Sequence, residues 1–411
     1  MVEFSRRTLS NGLRVLVHED HSTPLVAVNV SYYVGSRDEN PDKTGFAHLF
    51  EHLMFAGSKN VPDFDDPLQR AGGENNAFTT NDYTTFYEIL PAENLETALY
   101  LESDRMAALS INKKSLDVQR KVVVEEFKET CLNEPYGDNW HHLSELMYHK
   151  HPYRWPVIGL TPEHVENANI EDVRHFFRDW YNPSNAVLSI AGKVNEAEAF
   201  ALAEKWFGSI PAGNTPVRNL PPEPAQKKPA RKVVKADVPV PAIYLAFRTP
   251  ARMDHDFYAV DLLSDVLALG PSSRLFRRLL KEQKLFSTID AYVTANLDPG
   301  LLVIEGRPSE GVTIEKALEA VWGELHQLKN EAIDERELKK IQHRFESTLV
   351  FSETSVLNKA QNLAYYELFD RAELMNEETD IYLGITAQEM HEAAQRLFRE
   401  ENSATLIYLP K

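Results

Sequence analysis

The segment HLFEH, residues 48 to 52, places two imidazoles and a carboxylate within a single turn and a half of chain. On a helix His48 and His52, four apart, lie one above the other on the same face, with Glu51 beside the second. Two imidazoles so placed can share a divalent ion. A neighbouring carboxylate can then take a proton from a water that the ion activates. That is the chemistry of a metal-dependent hydrolase.

The flanks support a helix. Gly45 to Gly57 reads GFAHLFEHLMFAG, with Phe46, Leu49, Leu53 and Phe55 apolar and glycines at both ends. So apolar a helix is expected to be buried, and buried histidines and glutamates need partners that a cation would supply. Two imidazoles bind zinc weakly, and catalytic sites normally add a third protein ligand while leaving one position open. The segment LDVQRKVVVEEFKETCL, residues 116 to 132, offers one. It has helical composition and carries Glu125, Glu126 and Glu129 near an apolar stripe of Val122, Val123 and Phe127. Adjacent helical positions point about 100° apart, so Glu125 and Glu126 cannot both face one ion.

HLFEH followed by VVVEEF resembles the inverzincins, the pitrilysin-type zinc metallopeptidases whose motif inverts the HExxH order. The likeness runs along nearly the whole chain, through TLSNGLRVLV, VGSRDEN, GGENNAFTTNDYTTFYEILP, HPYRWPVIG and YNPSNAVLSIAGKV. It implies one Zn2+ per chain held by His48, His52 and Glu126, with Glu125 the runner-up, and Glu51 as catalytic base. It implies that Asn76, Ala77 and Phe78 belong to an edge strand that binds an extended peptide as one more strand. Asp82 is expected either to support a histidine ligand or to cap a local element. The implied fold is α+β, with two related domains, each a mainly antiparallel sheet covered by helices, facing each other around a chamber.

Two departures from the family pattern stand out. Many members carry a further glutamate where this chain has Gln119. In the C-terminal half, the family's substrate-clamping arginine and tyrosine fall on Leu280 and Ser287, and Arg274, Arg277 and Arg278 nearby have no tyrosine at the right offset. Neither Leu280 nor Ser287 can donate to a substrate carbonyl as that pair does. The resemblance therefore points to the zinc-bearing subunit of a heterodimer, with a homodimer or a self-sufficient monomer as the alternative. The expected function is hydrolysis of short or unfolded peptides, the competing expectations being an inactive peptide-binding or structural subunit and a specific precursor-processing protease.

The elements that must position these residues follow from the pattern of the chain. At 411 residues two domains are expected. Six prolines punctuate GSIPAGNTPVRNLPPEPAQKKPA, which separates residues 1–210 from 231–411 by a linker at 211–230. LRVLVHED, LVAVNVSYYV, TTFYEIL and AVLSIAG read as strands before it, and AIYLAFRTP, TIDAYVTA, LLVIEGRP and SATLIYLP after it. Helices are expected near 43–56, 92–109, 114–132, 171–179, 255–269, 272–283, 313–329, 334–349 and 386–399. The net charge of −18 argues against nucleic acid and anionic membrane as partners. Cys131 stands alone, so no internal disulfide is expected, and no apolar run approaches the roughly 18 residues of a spanning helix. The start, MVEFSRRTLSNGL, lacks a secretory core, which suggests a cytoplasmic protein, or a periplasmic one if an export signal has been removed.

Overall fold

The computed structural model describes all 411 residues, Met1 to Lys411. The chain is α+β, with eleven strands in two sheets. No helix is long and apolar enough to cross a membrane. Two compact units divide the chain, one comprising Met1–Lys128, Trp155–Leu220 and Leu349–Glu378, the other Glu129–Arg154, Pro221–Thr348 and Thr379–Lys411. The sequence-based division at 211–230 follows chain order, whereas the segments at 129–154 and 349–378 each lie with the opposite unit. Residues 211–227 form no helix or strand, as the prolines suggest.

The first unit holds a six-stranded sheet of β1 (Ser5–Thr8), β2 (Arg14–Glu19), β3 (Leu25–Tyr32), β4 (Glu74–Thr79), β5 (Thr84–Pro91) and β6 (Ala186–Gly192), in the order β1-β2-β6-β3-β5-β4. Only β2 and β6 run parallel. The period of two puts Val26, Val28, Val30, Leu188 and Ile190 on one face, in the main core. Ala27 and Ala191 occupy the other face, where Val356 and Ala360 of the helix Val356–Glu367 meet them. The apolar pattern did not reveal this helix, because its contact with the sheet depends on alanines, whose small size allows close approach.

The second unit repeats the scheme with β7 (Ala230–Ala236), β8 (Ala242–Arg248), β9 (Phe286–Val293), β10 (Leu301–Pro308) and β11 (Ser403–Pro410), in the order β7-β11-β8-β10-β9. One face packs Ile243, Leu245, Leu302 and Ile304 beneath helices of the C-terminal half. The other packs Tyr244, Ala246 and Leu406 against Leu143 and Met147 of the helix Asn139–Met147, which lies outside the expected helices.

The helix that carries HLFEH, α1 (Phe46–Leu53), buries Phe46, Leu49, Phe50 and Leu53. Phe50 stacks on Tyr181 and Phe176 at ring-centre distances of 4.9 and 5.4 Å. Gly45, the residue before the helix, has no side chain to cap it, and its φ of 85° is readily reached only by glycine. Glu39 supplies the cap, its two oxygens accepting from Gly45 N and Ala47 N at 2.9 and 2.8 Å. A Cβ on Gly45 would lie 2.8 Å from the Ile158 carbonyl oxygen, so the loop ending at Gly159 closes directly on the helix start. Thr44 adds to this clamp, its hydroxyl accepting from Leu160 N at 2.7 Å.

Beyond the other end of α1, the rings of Phe55 and Phe64 lie over Arg105, from the helix Leu95–Ala108. The guanidinium sits 4.3 Å from the Phe64 ring centre, 4.5 Å from Phe86 and 5.2 Å from Phe55. It donates to both oxygens of Glu102 and, at 3.3 Å, to Glu88. All three charged groups are buried. Burial first, and then the charge of Glu102, push the Glu88 carboxyl well above the usual carboxylate range, while the Arg105 guanidinium pulls it back down.

Two outcomes are expected. Arg105→Leu strands a buried carboxylate and should lower the urea-unfolding free energy by about 3–5 kcal/mol; a loss below about 1 kcal/mol would mean the cluster relaxes or takes up a proton without it. Burial pushes the Glu39 carboxyl up to about 8, above its ordinary 4.5, against the pull of the two amides. The folded chain then binds the additional proton between those values, so this contribution is complete below 4.5 and is lost as pH rises through 8. Unfolding of wild type and Glu39→Gln compared across that range should show the wild-type advantage shrinking with rising pH, and a flat difference would refute the assignment.

Candidate metal centre

α1 packs against the helix Lys113–Phe127, whose first turn is capped by Asn112 accepting from Lys114 N and Ser115 N. Leu116, Val123, Val124 and Phe127 form the buried stripe of that helix. Val122, expected among them, is exposed, because the inward face is centred one residue further along. This rotation decides between the two glutamates. Glu125 points outward and pairs with Lys128 at 2.7 Å, while Glu126 turns towards the histidines.

The donor atoms of His48, His52 and Glu126 lie within 4.8 Å of one another. Glu126 approaches His52 Nε2 at 3.2 Å and His48 Nε2 at 3.6 Å. Donors about 2.1 Å from a tetrahedral zinc stand about 3.4 Å apart, so these separations suit such an ion. The donor set, two imidazoles and one carboxylate, also suits zinc. Exposure rises from 11% for the His48 side chain through 23% for His52 to 37% for Glu126, so the cluster opens to solvent on the glutamate side.

Burial lowers the pKa of His48, which keeps its imidazole neutral and able to donate a lone pair. The hydrogen bond to His52 holds the Glu126 carboxyl below the usual carboxylate range despite partial burial. His48 Nδ1 is buried without a hydrogen-bond partner.

Glu51, the expected base, accepts a hydrogen bond from Thr79 Oγ1 at 2.6 Å. Thr79 ends β4, which forms an edge of the first sheet. Along β4 Glu74, Asn76 and Phe78 are exposed, and Asn75, Ala77 and Thr79 are half-buried on the opposite face. Ala77 N donates to Asn76 Oδ1 at 2.8 Å, and the Phe78 ring lies 5.9 Å from that of Tyr83. The structure thus brings His48, His52, Glu126 and Glu51 together and sets Asn76, Ala77 and Phe78 on the adjoining edge.

Asp82 forms a buried ion pair with Arg37 at 2.9 Å. Sequence reasoning missed Arg37, Glu39 and the role of Thr79. The first two lie in VGSRDEN, whose charged residues ahead of an apolar helix were the available signal. In the second unit Leu280 packs on the apolar core, and Ser287 Oγ donates to Arg307 O at 3.1 Å. Arg274 and Arg278 are each paired at 2.7 Å, with Glu337 and Glu324.

Residues 14–159 match the sequence profile described as Insulinase (Peptidase family M16), and residues 167–345 match that described as Peptidase M16 inactive domain. The zinc protease PqqE of Helicobacter pylori is 28% identical over 98% of this chain and 92% of its own length. An uncharacterised zinc protease of Mycobacterium leprae is 30% identical over 73% of this chain and 68% of its own. The crystal structure of a protease from Helicobacter pylori superposes with a TM-score of 0.94 at 28% identity, covering 100% of both chains. From these matches, the chain belongs to the insulinase family of peptidases, family M16, the pitrilysin-type group.

Proposed function

We propose that this chain is a zinc endopeptidase that cuts peptides lying extended along β4, with a related second subunit providing the substrate clamp that its own second unit lacks. The observation that carries this reading is the grouping of His48, His52 and Glu126 within 4.8 Å, beside a Glu51 held at the edge strand. The names of the relatives, zinc proteases, support the choice of metal.

His48, His52 and Glu126 hold the ion. Zinc, when bound, supplies Lewis-acid polarisation and lowers the pKa of water towards 7. Glu51 takes the proton from the attacking water and returns it to the departing amine. The free edge of β4 holds the substrate by main-chain hydrogen bonds, which tolerates many sequences and requires an extended chain. Asn76 and the backbone at Ala77 place the scissile bond, and Phe78 offers an exposed ring to a neighbouring substrate side chain.

The need for a partner is supported by the second unit. Leu280 is taken up by the core, Ser287 by its strand, and Arg274 and Arg278 by carboxylates. A second reading, a peptide-binding subunit without activity, is favoured by the match of residues 167–345 to a profile described as an inactive domain.

Metal analysis should find one zinc per chain, with Glu126→Gln or His48→Ala lowering zinc affinity by about 100-fold or more, since either removes a direct ligand where loss of a mere supporting group costs 10–100-fold. Chelation should lower the melting temperature of the wild type and leave that of these variants unchanged. Equal zinc affinity in wild type and both variants would reject the site. Glu51→Gln should keep zinc and lose about 10²–10⁴-fold in turnover of a quenched fluorescent peptide, measured on the chain alone and after mixing with a related subunit. Normal turnover by that variant would exclude Glu51 as the base. Zinc bound without hydrolysis by the wild type in either preparation would favour the binding role.

A further inference from the structure

A glutamate on a helix surface is normally free to turn about three torsions, and a base that turns is a poor base. Thr79 is the hydrogen-bond partner of Glu51, and at 2.6 Å the contact has the length of a charge-assisted O–H···O bond. The donor is itself rigidly held. Thr79 pairs with Thr84 in the β4–β5 ladder, and the turn beyond it is closed by Thr80 N donating to Tyr83 O at 2.8 Å. The Thr80 hydroxyl accepts from Asp82 N and Tyr83 N at 3.1 and 3.0 Å. Gly35 packs so closely on this turn that a Cβ there would lie 2.4 Å from the Asn81 carbonyl.

We propose that Thr79 is a positioning residue, which fixes the Glu51 carboxylate towards the free edge of β4 and so ties the orientation of the base to the strand on which the peptide docks. The inference rests on the reading of Glu51 as base and of β4 as docking strand. It assigns to the strand a second task. One end of β4 aims the proton acceptor while its edge holds the bond to be cut. A misplacement of about 1 Å in such a site costs about 100-fold in rate, which sets the scale of the expected effect.

The test compares Thr79→Val, which keeps the branched shape and removes the hydroxyl, with Thr79→Ser, which keeps the hydroxyl. Glu51→Gln serves as reference. Zinc-loaded protein is used, mixed with a related subunit where hydrolysis requires it. Thr79→Val should bind zinc with wild-type affinity, lose about 10–100-fold in kcat with little change in KM, and show Glu51 turned away in its crystal structure. Thr79→Ser should restore kcat to within about threefold of wild type. Thr79→Val should have no further effect in the Glu51→Gln background. Wild-type kcat in Thr79→Val beside an inactive Glu51→Gln would overturn the role of Thr79 alone, whereas full activity of Glu51→Gln would overturn the underlying assignment. An equal defect in the serine and valine variants would also reject the proposal, since shape and not the hydroxyl would then matter. If no preparation hydrolyses peptide, the crystal structures decide: an unmoved Glu51 in Thr79→Val refutes the proposal and a displaced one upholds it.

Discussion

The first turn of α1 is the constraint on which the site depends. Its opening amides cannot bond within the helix, and Gly45 offers no side chain to take them. Glu39 accepts from two of these amides, and Ala47, one of the two, immediately precedes His48. The cap thereby fixes the turn of backbone from which the His48 side chain projects. Stretches distant in the sequence meet at this point for a steric reason. The backbones of Gly45 and Gly159 nearly touch, Gly35 lies against Asn81, and Trp155 Nε1 donates to Ser36 O at 2.8 Å.

Buried ionisable groups stand beyond both ends of α1, each bonded to a backbone amide or to an oppositely charged side chain. The Glu39 cap and the Arg37–Asp82 pair lie at the start, and the Arg105–Glu102–Glu88 cluster lies beneath the aromatic rings that follow the helix. An apolar replacement of matching shape could be as stable as such a cluster. What the charged version adds is geometry: bidentate bonds and ring stacking hold the chain leaving α1 in one place.

The edge of the first sheet shows the opposite tendency. β4 leaves a row of main-chain groups unpaired, a feature that proteins generally cover. Its exposed positions carry Glu74 and Asn76, which discourage indiscriminate pairing, and the Asn76 side chain engages the Ala77 amide. Such an edge, with Glu74, Asn76 and Phe78 exposed beside the cluster of His48, His52 and Glu126, is what the proposed docking of an extended peptide requires.

The sequence by itself determined the chemistry of the donor set, because the period of a helix places His48 and His52 together whatever the tertiary fold. Alternation of larger apolar residues with small or polar ones likewise revealed the principal strands of both sheets, from Leu25–Tyr32 to Ser403–Pro410, even though both faces of these strands are covered. Helical spacing left Glu125 and Glu126 equivalent; resemblance ranked them, and the rotation of the helix Lys113–Phe127 against α1 placed Glu126 at the cluster. Tertiary structure alone joined Glu39 to the start of α1 and Thr79 to Glu51, as a hydrogen bond between separate elements leaves no periodic trace. It also assigned the helices Asn139–Met147 and Val356–Glu367 to sheets far from them along the chain. Contacts made by small alanines and by residues distant in sequence carry too little local signal for any pattern of hydrophobicity to reveal.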